Sequence, residues 1–248
     1  MSLEVDIRKK LHGFKLDVSF TTAGSSRLGV LGPSGSGKSM TLKSIAGIVT
    51  PDEGRIVLNG RTLFDSAKKI NLPPQKRKVG YLFQSYALFP HMRIVDNIAC
   101  GLQLNKKEAR ENRQIKQIVD MLHLNGLEER YPGQLSGGQQ QRAALARILA
   151  FQPEIILLDE PFSALDEPLR VELQRQLSET LHSWQKEIIL VTHSIKEVRK
   201  LSDHLIELDG GHIVARGETE KLLPRPMGRY LVKQSQNECH VDKADQTE

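Results

Sequence analysis

The sequence predicts an α/β fold built on a parallel sheet, and three observations carry that prediction. Short apolar runs alternate with helical stretches, two of the runs are apolar at every position, and a glycine-rich loop joins a strand to a helix. The runs at 155–158 and 188–191 lack period-two alternation, as expected of parallel strands covered on both faces. In chain order, strands are expected at 28–31, 56–58, 79–83, 155–158, 188–192 and 205–208, with a helix at 40–48 after the first. Between about 87 and 150 strand signals thin out and charged helical stretches at 106–122 and 139–149 replace them, which predicts a helical insertion. Residues 167–184 read as one amphipathic helix, and 234–248 are polar enough to predict a disordered tail. The expected organisation is one domain over 1–232, with a core of about 1–86 and 151–232, a helical subdomain of about 87–150, and a tail from 233.

Composition narrows the class. Of 248 residues, 39% are hydrophobic, 26% charged and 5% aromatic, which excludes a disordered or collagen-like chain. At this length a core buries about 70–75% of the unfolded surface, so no disulfide or metal scaffold is needed. The apolar runs fall far short of the roughly 20 residues that cross a bilayer. The first 20 residues interleave charges with apolar positions and do not read as a signal peptide, so a cytoplasmic location is expected. A net charge of +5 suits anionic partners of several kinds and singles out none. Cys100 and Cys239 stand far apart with no CxxC or Cys/His cluster, the pattern of reduced, unliganded thiols.

Three motifs carry chemistry. Gly32-Pro33-Ser34-Gly35-Ser36-Gly37-Lys38-Ser39 is a complete GxxxxGKS phosphate loop between a strand and the helix that opens near Met40. Its glycines let backbone N–H groups wrap a phosphate chain, Lys38 reaches the outer phosphates, and the Ser39 hydroxyl can ligate Mg²⁺. The second motif is a buried strand that delivers Asp159 and Glu160 at its carboxyl end, the edge where open α/β sheets bind ligands. Neighbouring strand side chains diverge, so Asp159 suits a metal while Glu160 suits a water that attacks the phosphate. The third is Leu135-Ser136-Gly137-Gly138-Gln139. Ser136 and Gln139 fit a capping box, and the two glycines leave a helix N-terminus bare for a phosphate. One nucleotide on one chain hardly serves two such ends, whereas a head-to-tail dimer uses both.

In that order these motifs resemble the ATP-binding subunit of an ABC transporter, and the similarity covers about residues 3–231. The resemblance implies a P-loop NTPase (RecA-like) core with a helical subdomain and an N-terminal β-rich part, and ATP with Mg²⁺ as cofactors. It further implies that Gln84 contacts Mg²⁺ and the attacking water, that His193 contacts the γ-phosphate, and that Asp166, in Ser163-Ala164-Leu165-Asp166, communicates across the dimer. For the adenine base, Leu11 and Phe14 both stand near the matching position; Phe14 also falls in the alternating stretch Phe14, Leu16, Val18, Phe20. The choice stays open.

A free ATP-binding polypeptide is typical of bacterial importers, peripheral to the cytoplasmic face of the membrane. Residues 84–92 resemble importer subunits for oxyanions, sugars or polyamines, a region that there receives a helix of the membrane partner. Residues 54–63 and 72–81 resemble molybdate importer subunits, here in a short form without a C-terminal oxyanion-sensing domain. The implied partners are a second copy, two membrane-spanning permease subunits and, indirectly, an extracytoplasmic binding protein. The alternatives are an importer subunit for another cargo (sulfate, sugar or polyamine) and a soluble ABC-type ATPase acting on nucleic acid, the latter raised by the basic balance and runs such as Lys76-Arg77-Lys78. The nucleic-acid reading predicts a long coiled coil or a second cassette, and the sequence has neither, nor the aromatics that would stack on single strands.

Overall fold

In the computed structural model residues 2–22, 27–102, 104, 106–163, 170–171, 174–175, 177–179 and 186–223 are described. The expectations for Asp166, most of the 167–184 helix, Cys239 and the 234–248 tail lie outside them. Eleven strands form one sheet among these residues: β1 (Leu3–Lys10), β2 (Lys15–Thr21), β3 (Arg27–Leu31), β4 (Glu53–Leu58), β5 (Arg61–Asp65), β6 (Ile70–Asn71), β7 (Val79–Leu82), β8 (Ile155–Asp159), β9 (Glu187–Thr192), β10 (His204–Asp209) and β11 (His212–Glu218). Their spatial order is β6-β5-β4-β1-β2-β11-β10-β3-β9-β8-β7. The half from β10 to β7 is parallel, whereas β6, β5, β4, β1 and β2 make an antiparallel flank joined to it through one β2–β11 pair, Asp17 with His212.

Every residue of β8 and β9 is buried, which explains their unbroken apolar runs. Alternate residues face opposite layers. Ile156, Leu158, Ile188 and Leu190 pack with α2 (Ile94–Ala99), α4 (Arg113–Met121) and α5 (Gly137–Ala150). Ile155, Leu157, Ile189 and Val191 pack with α1 (Lys38–Ala46) and with β1, β2 and β4. Register then sets the working edge: Leu82 pairs with Leu158, Leu158 with Leu190, and Leu31 with Thr192. The carboxyl ends of β3, β7, β8 and β9 therefore finish level, and Gly32, Glu160 and His193 all leave the sheet at that edge.

Two local expectations change. The stretch 106–122 is not one helix but α3 (Lys106–Glu111) followed by α4, because Asn112 adopts an extended backbone and its side chain accepts the Ile115 N–H. The basic run 76–78 is not a free cationic patch either. Arg77 is completely buried, and its guanidinium donates to Leu72 O, Ser44 O, Ile45 O and Asn71 Oδ1 at 2.7–2.9 Å. It thus ends α1 by satisfying carbonyls of that helix's last turn, beside the left-handed Gly47 cap. The middle residue of that run is a structural cap.

Candidate nucleotide site

The phosphate loop leaves β3 at Gly32, where a Cβ would lie 2.1 Å from the Leu208 carbonyl oxygen, so only glycine lets the chain pass. It closes at Gly37, which caps α1 with φ 102°. Lys38 follows as the first helical residue, buried, with Nζ donating to Gly32 O at 2.9 Å and Pro33 O at 2.8 Å. One of its three N–H groups is left for a ligand. Burial pushes the Lys38 ammonium below its ordinary value, while Glu160 and Asp159 pull it back up. The buried Ser36 hydroxyl has no hydrogen-bond partner within the protein, as suits a loop shaped around a polar ligand.

Ser39 Oγ donates to Asp159 Oδ1 at 2.7 Å, which brings two hard oxygen donors from positions 120 residues apart within reach of one cation. Tyr81 on β7 holds the other carboxylate oxygen, donating to Asp159 Oδ2 at 2.7 Å. Burial, then the bond and charge of Asp159, push the Tyr81 phenol well above its usual value, so it stays a donor. Nothing in the sequence marks Tyr81; it reads as one more strand residue. The loop, its orphaned hydroxyl and the Ser39–Asp159 pair fit a phosphate chain carrying Mg²⁺.

Glu160 lies one residue beyond β8 in the left-handed region, φ 46°, with its N–H bound to Val191 O at 3.0 Å. That twist sends it away from Asp159 and into the cleft, where its carboxylate stands 3.8 Å from His193 Nδ1. The cleft, about 410 Å³, is lined by Leu11, His12, Phe14, Ser34, Gly35, Gly37, Lys38, Ser39, Met40 and Glu160. Phe14 precedes β2 rather than belonging to its buried face, and it lines this cleft together with Leu11. Gln84 is exposed and does not line it; its Nε2 donates to Ser163 Oγ at 2.9 Å, three residues after Glu160. Behind His193, the buried Glu197 accepts from Thr192 Oγ1 at 2.5 Å, and Thr192 Oγ1 accepts the Ser194 N–H at 3.0 Å. Both bonds fix the backbone on either side of His193, and the sequence reading missed them.

Ser136 caps α5, accepting the Gln139 N–H at 3.3 Å while Gln139 Oε1 accepts the Ser136 N–H at 2.9 Å. The capping box is present, Gly137 and Gly138 open the helix, and none of Ser136, Gly137, Gly138 or Gln139 lines the phosphate-loop cleft.

A family model described as ABC transporter matches residues 16–163. The chain is 38% identical over 233 residues to the molybdenum import ATP-binding protein of Paramagnetospirillum magneticum, covering 92% of this chain and 64% of that protein. It is 38% identical over 235 residues to a probable sulfate/thiosulfate import ATP-binding protein of Chlorella vulgaris, covering 93% and 97%. It is 40% identical over 233 residues to the molybdate/tungstate import ATP-binding protein of Thermococcus kodakarensis, covering 92% and 68%. The chain thus spans about two thirds of the length of the two molybdenum-related relatives. Among solved structures, the dimeric ATP-binding cassette MJ0796 in a post-hydrolysis state with ADP and Pi matches with a TM-score of 0.72 and 27% identity, over 88% of this chain and 99% of that one. Fold and site together define a P-loop cassette whose loop, Ser39 and Asp159 suit a nucleotide phosphate chain with Mg²⁺. The chain belongs to the ABC transporter family.

Proposed function

We propose that this cassette powers an importer: two copies bind head to tail and close on two Mg·ATP, each chain's residues 136–139 covering the nucleotide on its partner's phosphate loop. The observation that carries this reading is the separation of two phosphate-binding helix ends. The N-terminus of α1 opens into the cleft beside Glu160, whereas the N-terminus of α5 takes no part in it. Within the cleft Lys38 and the loop N–H groups would hold the phosphate chain, and Ser39 and Asp159 would hold Mg²⁺, with Gln84 brought to it on closure. The metal would supply charge neutralisation of the phosphate oxygens. Glu160 accepts the proton of the attacking water, and His193 donates to the γ-phosphate from the same side. Loss of the γ-phosphate removes the contacts that hold Ser136 and Gly138 across the interface, and the dimer reopens. Asp166 carries the signal between the two sites.

The cassette sits on the cytoplasmic face of the membrane against two permease subunits, fed by an extracytoplasmic binding protein. Its cargo is a tetrahedral oxyanion, with molybdate first. The support is the naming of the relatives, whose molybdenum and sulfate members stand at 38–41% identity. Sulfate is accordingly the second reading. Uptake of labelled molybdate and of sulfate in cells carrying a chromosomal Glu160→Gln variant tests both. Loss of molybdate uptake alone supports the first reading, loss of sulfate uptake alone moves the assignment to sulfate, and loss of neither overturns the oxyanion cargo.

A further inference from the structure

Residues 84–93 leave the end of β7 for the helical region, and two of them hold a backbone that their side chains disfavour. Tyr86 (φ 59°) and Ala87 (φ 47°) lie consecutively in the left-handed region, a conformation that persists only where surroundings over-determine it. What over-determines it comes from α5. The Arg147 guanidinium donates to both strained residues, from Nη1 to Ala87 O at 2.7 Å and from Nη2 to Tyr86 O at 3.1 Å. Its Cζ also stands 5.5 Å from the centre of the Phe89 ring. The rest of the turn is held from α2, where the fully buried Asn97 donates to Phe89 O, Met92 O and Arg93 O and accepts the Phe89 N–H.

Residues 86–93 are therefore fastened to the helices, whereas Gln84 is fastened to the core. Its amide donates to Ser163 Oγ, which in turn donates to the Glu160 carbonyl at 3.0 Å. Tyr86 joins the two anchorages, its N–H donating back to Phe83 O at 2.9 Å while its carbonyl accepts from Arg147. Arg147 and the Ser136 cap belong to one continuous helix, a rigid rod of about 16 Å between them at 1.5 Å per residue.

We propose that Arg147 is a positioning residue for hydrolysis, carrying the placement of the α5 N-terminus to Gln84 through Tyr86 and Ala87. This rests on the reading that α5 meets a partner's nucleotide and that the cleft hydrolyses ATP. A shift of α5 towards that nucleotide takes both carbonyls with it, and the hydrogen-bonded turn from Phe83 to Tyr86, which encloses Gln84 and Ser85, converts the shift into a new setting of Gln84 beside Glu160. Two parallel bonds to two adjacent carbonyls require the planar fork of arginine, which a lysine ammonium does not reproduce.

The test compares Arg147→Ala and Arg147→Lys in the full chain, alone and with Gln84→Ala. In Arg147→Ala, kcat is expected to fall about tenfold with the KM for ATP held within about twofold, the signature of a lost conformational setting rather than lost binding. Amide exchange at residues 85–89 rises about tenfold while exchange within α5 is unchanged. In the Gln84→Ala background Arg147→Ala has no further effect on kcat, because both changes break one chain of contacts. Arg147→Lys falls between, and it carries the same test if the alanine variant does not fold. Additive losses in the double variant, or an unchanged kcat, overturn the positioning role. The exchange experiment needs no turnover: unaltered exchange at 85–89 overturns the clamp itself, while altered exchange in a chain that hydrolyses no ATP overturns the ATPase reading and keeps the clamp.

Discussion

At the scale of single residues, two adjacent carboxylates do different work because one is bonded and the other is aimed. Each Asp159 oxygen accepts one hydroxyl, from Ser39 or Tyr81, and keeps a lone pair for a cation, whereas the left-handed backbone at Glu160 leaves its carboxylate facing the cleft and His193. Glu160→Gln should retain ATP and lower turnover by about 10²–10⁴-fold, the range of a lost general base; near-normal turnover in a steady-state assay sinks that role. Lys38→Ala should lose nucleotide affinity, read by equilibrium titration with a fluorescent ATP analogue. A third residue lies away from the site. Glu187 opens β9 fully buried, neither of its carboxylate oxygens has a hydrogen-bond partner, and burial pushes its pKa up to about 7. The unfolded chain releases this proton near the ordinary glutamate value, about 4.3, and the folded chain only near neutrality. Stability from this group is therefore complete at low pH and drains away as pH rises towards 7. Replacement by methionine should raise stability at pH 8 by roughly 3 kcal/mol, with a much smaller gain at pH 4. Equal gains at both pH values in chemical denaturation contradict the assignment.

At the scale of elements, the phosphate loop is held from both ends of the helix it opens. Gly32 threads past Leu208 at the loop's start, and Arg77 gathers the last carbonyls of α1 at its far end. Arg77→Ala removes the side-chain donor from the carbonyls of Ile45 and Leu72 and leaves Ser44 O with the Gly47 N–H alone, at a cost of about 3 kcal/mol. Arg77→Lys recovers little of it, because a single ammonium cannot span acceptors on both sides. Urea denaturation of the two variants checks this, and a loss under about 1 kcal/mol excludes the cap. The run 76–78 shows how sequence misleads at this scale. Three consecutive basic residues read as a surface patch, and only the packing of residues 71–77 against α1 reveals that the middle one points inward.

At the scale of the whole molecule, the proposed head-to-tail dimer rests on two helix N-termini, those of α1 and α5, that do not share a cleft. Glu160→Gln protein should sediment as a monomer without nucleotide and as a dimer with Mg·ATP, and ADP should not sustain the dimer. A monomer at saturating Mg·ATP sinks the head-to-tail arrangement. The parallel half of the sheet makes this geometry available, since four strands end level and place the phosphate loop, Glu160 and His193 along one edge.

The strands of the parallel core, the phosphate loop, the acid pair and the capped α5 were legible in the sequence because each is encoded locally, by an unbroken apolar run, a glycine spacing or a capping box. Their succession was enough to identify the family. The tertiary structure alone decided what lies between those pieces: Tyr81 on Asp159, Glu160 beside His193, Gln84 on Ser163, Arg77 beneath α1, Phe14 in the cleft and Arg147 on the turn after Gln84. The hydrogen bonds and the ion pair among these contacts join residues 33 to 79 positions apart. Periodicity and spacing carry no information over such separations; strand register and side-chain packing set them, and both exist only once the chain has folded.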